Sequence, residues 1–100
     1  MKILFIMAKE PYTHDFNTLI RLSETALNRG HKVKIFFISN GVYCLLKNEI
    51  KELKEKGADI YYCSHNTTQR GVKPEDFAES NSTYGLSKMI KEVDKVIMLS

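Results

Sequence analysis

The residues with the most reactive side chains in this sequence are two cysteines, Cys44 and Cys63, and three histidines, His14, His31 and His65. The cysteines form no Cys-x-x-Cys pair, which excludes a disulfide scaffold and a zinc site built from nearby thiolates. Only Cys63, His14 and His65 could meet at one site, and their spacing is not diagnostic of a metal. We therefore expect neither a metal nor a bound cofactor. A disulfide between Cys44 and Cys63 depends on their separation in the fold.

Cys63 is the stronger candidate for chemistry. It ends a short apolar run and enters a polar segment that contains His65 and Arg70. Positive neighbours favour the thiolate, which is the nucleophilic form of a cysteine. The alternative is that Cys63 is a small buried hydrophobic residue, and this alternative stays open. Cys44 lies beside Leu45 in a helical pattern, so we interpret it as a core residue.

Several other site chemistries lack their motifs. No Gly-x-Gly-x-x-Gly and no Gly-x-x-x-x-Gly-Lys-Ser/Thr occurs, so dinucleotide and P-loop nucleotide binding are excluded. The segment Lys9–His14 has no glycine and one aliphatic hydroxyl, unlike an FMN phosphate loop. The third apolar run ends in Cys63 rather than in an aspartate, which argues against a phosphorelay receiver.

Length and composition are those of one small domain over residues 1–100, with 43% apolar and 27% charged residues. The net charge of +3 comes from lysines scattered along the chain, too dilute for a nucleic-acid surface. No stretch approaches the roughly 18 apolar residues of a membrane span. The first residues also lack a signal-peptide cleavage site. We therefore expect a cytoplasmic protein with no membrane or nucleic-acid partner.

Apolar runs and apolar residues at helical spacing alternate along the chain. The runs predict four strands, at Ile3–Ala8, Val33–Ile38, Asp59–Cys63 and Lys95–Leu99. The helical patterns run from Phe16 to Gly30, from Val42 to Gly57 and from Thr83 to Val93. The polar segment Ser64–Ser82 is interpreted as a long loop with one helical turn near Pro74–Ala78.

This alternation predicts a flavodoxin-like α/β fold, with three α/β/α layers and a mostly parallel sheet. In such sheets ligands bind beyond the carboxyl ends of the strands, commonly between the first and third strands. The segments expected there are Lys9–His14 and Cys63–Arg70, with the Asn40-Gly41 turn beside them.

Short pieces of sequence in order along the chain resemble the DsrE/DsrF-like family, which includes the TusD-type sulfur-relay proteins. They are Asp15 with the helix that follows it, Arg29-Gly30-His31-Lys32-Val33, Ile35-Phe36-Phe37, Asn40-Gly41-Val42, Cys63, Arg70-Gly71-Val72, Tyr84-Gly85-Leu86 and Val93-Asp94-Lys95-Val96-Ile97. The sequence has Asn40 where an aspartate is common in the family. The resemblance implies a flavodoxin-like subunit that forms a homo-oligomer, or a hetero-oligomer with related subunits.

The resemblance also implies a function and a site. Cys63 would accept sulfur as a persulfide and pass it to a partner, so the partners are sulfur donor and acceptor proteins. We expect His65 and Arg70 to influence the charge state of Cys63, and Tyr12 and Gly41 to shape the mouth of the site. Two alternatives remain: a non-catalytic homo-oligomeric or small-ligand-binding module, and a redox-sensing thiol protein.

Overall fold

Five short strands pair as one parallel sheet in a computed structural model that describes residues 1–100. The strands are β1 (Lys2–Met7), β2 (Lys32–Phe37), β3 (Asp59–Cys63), β4 (Ala78–Asn81) and β5 (Lys95–Leu99). The helices are α1 (His14–Asn28), α2 (Asn48–Glu55), α3 (Ser64–Arg70) and α4 (Thr83–Glu92), with a 3₁₀ helix over Ser39–Leu46. The strand order is β4-β3-β2-β1-β5, and every neighbouring pair is parallel.

The position of β1 inside the sheet, between β2 and β5, explains why the first apolar run is continuous. Its side chains alternate between two faces of the sheet, and both faces are buried. Ile3, Phe5 and Met7 pack with α1 and α2 in the larger hydrophobic cluster. Leu4 and Ile6 point to the other face, where α4 contributes Leu86 and Met89 to a smaller cluster. Its members are Leu4, Ile6, Phe36, Cys63, Leu86 and Met89. Helices on both faces confirm the predicted flavodoxin-like α/β/α architecture.

The segment after β3 corrects the expected long loop. Its first part is α3, which ends at Gly71 in the left-handed conformation, with φ of 65°. Its last part is β4, an edge strand of four residues. The expected helical turn near Pro74–Ala78 is instead a tight turn in which Ala78 N–H donates to the Glu75 carbonyl at 3.2 Å. Both elements are short and mostly exposed, so neither carries a run of buried apolar residues that a sequence pattern would reveal.

Two further expectations need correction. The predicted continuous helix from Val42 to Gly57 is interrupted at Lys47, where the 3₁₀ helix ends and the backbone becomes extended before α2. In addition, β1 and β3 are not neighbours, because β2 lies between them. The connections to β2, β3 and β4 therefore progress in one direction across the sheet, and only α4 returns the chain to the far side of β1.

None of the helices has both the length and the apolar character needed to cross a membrane.

Candidate functional site

The loops after the first three strands meet at the carboxyl edge of the sheet. The segment after β1 contains Glu10, the 3₁₀ helix follows β2, and α3 follows β3 directly. Ser39 starts the 3₁₀ helix with a φ of 52°, and its backbone N–H donates to Asn66 Oδ1 on α3 at 2.8 Å. The structure thus confirms that these segments share one edge.

Asn40 connects the three loops through its side-chain amide. Its Nδ2 donates to Glu10 Oε1 at 2.8 Å, and its Oδ1 accepts from Arg70 Nε at 2.9 Å. Arg70 also donates from Nη1 to the Asn66 carbonyl at 3.4 Å. An aspartate at position 40 could accept from Arg70 but could not donate to Glu10. The Glu10 partner therefore gives a physical reason for asparagine at this position.

The same network affects the protonation of Glu10. The pKa of its carboxyl group is lowered by a hydrogen bond from its own backbone N–H, by the hydrogen bond from Asn40 and by the nearby charge of Lys9, while desolvation opposes these effects. Each of the lowering effects favours the ionised carboxylate. Glu10 thus serves as an acceptor that helps to hold Asn40 between two loops.

Gly41 follows Asn40 and is buried against β1. A Cβ atom at this position would overlap the backbone carbonyl of Met7. Its own N–H donates to the Ile38 carbonyl at 2.8 Å. Gly41 therefore allows the 3₁₀ helix to approach β1 closely, which brings Asn40 within reach of Glu10.

Cys63 is the last residue of β3 and the N-cap of α3. Only 6% of the residue is exposed, and its side chain belongs to the smaller hydrophobic cluster under α4. Its register partner on β4 is Asn81. Cys63 thus lies at the predicted edge of the sheet, where it is packed as a small apolar side chain.

Cys44 occupies a different environment, in the larger cluster on the opposite face of the sheet. It is fully buried, and its thiol donates to the Lys9 carbonyl with an S···O distance of 3.4 Å. Burial raises the pKa of the Cys44 thiol to about 12, and the charge of Glu10 acts in the same direction. Both cysteines are free, and their separate clusters place them on different sides of the sheet.

The predicted supporting residues separate into two groups. Arg70 and Gly41 join the network around Asn40, and Arg70 makes its hydrogen bonds there rather than with Cys63. His65 is exposed in the first turn of α3 and makes no side-chain hydrogen bond. Tyr12 is 85% exposed in the loop after β1. Sequence reasoning missed the Asn40 bridge, because nothing in a sequence pattern signals a hydrogen bond between residues 30 positions apart.

The surface near Cys63 carries no cleft of its own. The three clefts of the molecule lie against the amino ends of β3 and β4, beside α2, and between α1 and β5. None of them is lined by Cys63, His65 or Arg70. No group of three or more His, Cys, Asp or Glu side chains is arranged to hold a metal ion. No cleft therefore leads from the surface to Cys63.

Comparison with known proteins identifies sequence similarity over nearly the whole chain. The sequence model of the DsrE/DsrF-like family matches residues 1–99. The uncharacterized protein MK0008 of Methanopyrus kandleri is 30% identical over 110 aligned residues, covering 95% of this chain and 91% of the relative. The uncharacterized protein MJ0989 of Methanocaldococcus jannaschii is also 30% identical, over 97% of this chain and 98% of the relative.

Solved structures share the fold. The crystal structure of the YchN protein from E. coli superposes with a TM-score of 0.81 at 20% identity and covers 99% of both chains. A conserved protein of unknown function from Bacteroides thetaiotaomicron, BT1422, gives a TM-score of 0.82 at 18% identity, over 98% of this chain and 94% of its own. These two similarities extend through α3 and β4, the elements that the sequence pattern did not predict.

Proposed function

The chain belongs to the DsrE/DsrF-like family, and from this membership we propose that it is a sulfur-carrier subunit that accepts sulfur as a persulfide on Cys63 and relays it to a partner protein. One observation carries the assignment to Cys63. It is the cysteine at the carboxyl edge, at the junction of β3 and α3, whereas Cys44 is sealed in the core with a raised thiol pKa. Cys63 is thus the better placed of the two for reaction with another protein.

The proposed transfer needs no external oxidant or reductant. The Cys63 thiolate attacks the outer sulfur of a donor persulfide, R–S–SH, and a new S–S bond forms as the donor S–S bond breaks. The donor leaves as the thiolate R–S⁻, and the protein carries the sulfur as Cys63–S–SH. An acceptor thiolate then attacks that outer sulfur, and Cys63 leaves again as a thiolate.

The donor and the acceptor in this proposal are proteins. A small donor would bind most readily in a cleft, and no cleft of the chain is lined by Cys63. The exposed residues Tyr12 and His65 lie on the surface that a partner would contact. Arg70, held by Asn40, adds positive charge to the same edge. Because Leu86 and Met89 of α4 belong to the cluster that buries Cys63, transfer also requires local opening between α4 and the sheet.

The proposal is tested by loading the folded protein with inorganic polysulfide and measuring its intact mass. We expect one added sulfur on the wild type and on Cys44→Ser, and none on Cys63→Ser. Treatment with a thiol reductant should remove the added sulfur. Equal loading of the two single variants would contradict the assignment to Cys63, and circular dichroism of each variant verifies that it is folded.

The burial of Cys63 favours a second candidate, a non-catalytic module of the same fold in which this cysteine only fills the core. That candidate predicts no loading of the folded wild type under conditions that load the denatured chain. A redox-sensing thiol would instead be oxidised reversibly without onward transfer. Incubating the loaded protein with a second thiol protein distinguishes a relay from a sensor, since only the relay passes the sulfur on.

A further inference from the structure

The strand order leaves one edge of the sheet without a covering helix on the α1 face. Because β2, β3 and β4 all lie on the same side of β1, the helices that connect them pack toward that side. β5 lies alone on the other side of β1. Two residues of β5 face the same side of the sheet as α1, Ile97 and Leu99, and both are only partly buried. The topology therefore creates an open channel between α1 and β5.

This channel is a groove of about 300 Å³ with an apolar interior. Ile3 and Ile97 line it from the sheet, and Leu22 and Ala26 line it from α1. Leu22 is 41% exposed, although it is a large apolar side chain on an otherwise amphipathic helix. The volume falls at the lower end of the range that small-molecule sites occupy.

The charges around the groove are all of one sign. Arg29 and Lys95 are the charged side chains that line it, and no carboxylate does. Arg29 and Lys95 form no ion pair, whereas the ion pairs of the molecule use lysines elsewhere, at Lys54 and Lys56. Unpaired cations next to an apolar surface favour an amphipathic anion, whose apolar part can pack against that surface.

We propose that the groove between α1 and β5 binds a small amphipathic carboxylate, with its apolar chain against Ile3, Leu22 and Ile97 and its carboxylate toward Arg29 and Lys95. Burial of the chain would supply most of the affinity, and the two cations would select for the negative charge. The groove lies at the amino-terminal parts of β1 and β5, away from the carboxyl edge that carries Cys63. This site is therefore independent of the proposed sulfur transfer.

Sodium octanoate is the probe for this proposal, with octan-1-ol as the uncharged control of the same chain length. The protein, labelled at its methyl groups, is titrated with each compound and followed by NMR. We expect octanoate to produce saturable shifts at the methyls of Ile3, Leu22 and Ile97, and octanol to bind about tenfold more weakly. Equal affinity for the two compounds, or shifts centred on Val96 and Met98 of the other face, would overturn the proposal.

Charge reversal provides a second test. The double variant Arg29→Glu with Lys95→Glu should bind octanoate about tenfold more weakly than the wild type and should gain affinity for octylammonium. A double variant of two exposed lysines elsewhere, Lys73→Glu with Lys91→Glu, carries the same change in net charge and should bind octanoate like the wild type. If both double variants lose octanoate binding equally, the effect is one of net charge and the proposal is wrong.

The same spectra distinguish octanoate from a second copy of the chain as the occupant of the groove. If a second copy of the chain fills the groove, the three methyls shift with protein concentration in the absence of octanoate, which would overturn the proposal. Leu22→Glu provides a further variant that is expected to fold, because this side chain is already partly exposed. It should abolish octanoate binding by placing a carboxylate within the groove, and unchanged binding would again contradict the proposal.

Discussion

At the scale of single residues, the two cysteines show how strongly burial controls thiol chemistry. Both are buried, but Cys44 has no exposed surface and donates to the Lys9 carbonyl, whereas Cys63 retains 6% exposure at the end of a strand. With its pKa raised to about 12, the Cys44 thiol stays protonated throughout the neutral range. Cys44 therefore serves as an internal control when the reactivity of Cys63 is measured.

Iodoacetamide should modify Cys63 faster than Cys44 in the native protein. Modification of Cys44 requires global unfolding, because its thiol lies in the main core, and modification of Cys63 requires only local opening beside α4. Peptide mass spectrometry at increasing urea measures the two rates. The Cys44 rate should follow the global unfolding transition, and equal rates in the absence of urea would contradict this difference.

The Asn40 bridge predicts a pH effect at a neighbouring residue. In Asn40→Asp, a second carboxylate faces Glu10 in place of an amide donor, so the pKa of Glu10 should rise from its lowered value. In the wild type, the lowered pKa means that Glu10 contributes stability above its unfolded-state pKa and loses it as the pH falls through the folded-state value. That contribution should be smaller in the variant, because the hydrogen bond from Asn40 is lost while the backbone hydrogen bond of Glu10 remains.

Carboxyl-detected NMR titration measures the Glu10 pKa in both proteins, and urea unfolding at neutral and acidic pH measures the effect on stability. Asn17→Asp is the matched control, because Asn17 is exposed and makes no side-chain hydrogen bond. An unchanged Glu10 pKa in Asn40→Asp would show that the bridge does not determine its protonation.

At the scale of elements, α1 has one polar residue on its buried face. Phe16, Leu19, Ser23 and Ala26 are all buried at helical spacing, and Ser23 Oγ has no hydrogen-bond partner. A buried hydroxyl without a partner destabilises the fold because it has lost its contacts with water. The helix tolerates this residue because three apolar neighbours on the same face pack into the core.

Ser23→Ala should therefore stabilise the protein by about 1 kcal/mol, from removal of the unsatisfied hydroxyl together with the higher helix propensity of alanine. Ser87→Ala, on the exposed side of α4, isolates the propensity effect. Urea denaturation of both variants gives the difference. A gain no larger at position 23 than at position 87 would show that burial of the hydroxyl carries no cost.

At the scale of the whole molecule, the α4 face is only partly covered. A single helix packs on this side of a five-stranded sheet, and the β5 residues Val96 and Met98 remain 39% and 51% exposed. β5 is also an edge strand, so one side of its backbone is unpaired. Exposed apolar patches of this kind mark interaction surfaces. We propose that this face is used when the chain forms the oligomers expected of the family.

Sedimentation velocity tests this proposal. The wild type should self-associate, and Met98→Lys should shift it toward the monomer because a charge would be buried in the interface. Leu46→Lys is the control, because Leu46 is 62% exposed on the 3₁₀ helix instead. A monomeric wild type, or an equal effect of the two substitutions, would contradict self-association through the α4 face.

Local sequence determined most of the elements. β1, β2, β3 and β5 are runs of apolar residues, and α1 and α4 repeat apolar residues at helical spacing, so each carries its own pattern. α3 and β4 were missed because they are short and bury few side chains. The sequence also determined that Cys63 ends a strand, since that depends only on the neighbouring residues.

Tertiary structure alone decided which residues surround Cys63. Cys63 shares its hydrophobic cluster with Leu86 and Met89 of a helix more than 20 residues away, and Arg70 forms its hydrogen bond with Asn40. The groove between α1 and β5 likewise follows from the strand order, which no single segment encodes. Periodic patterns report which side of an element is buried, whereas contacts between distant segments depend on how the layers assemble.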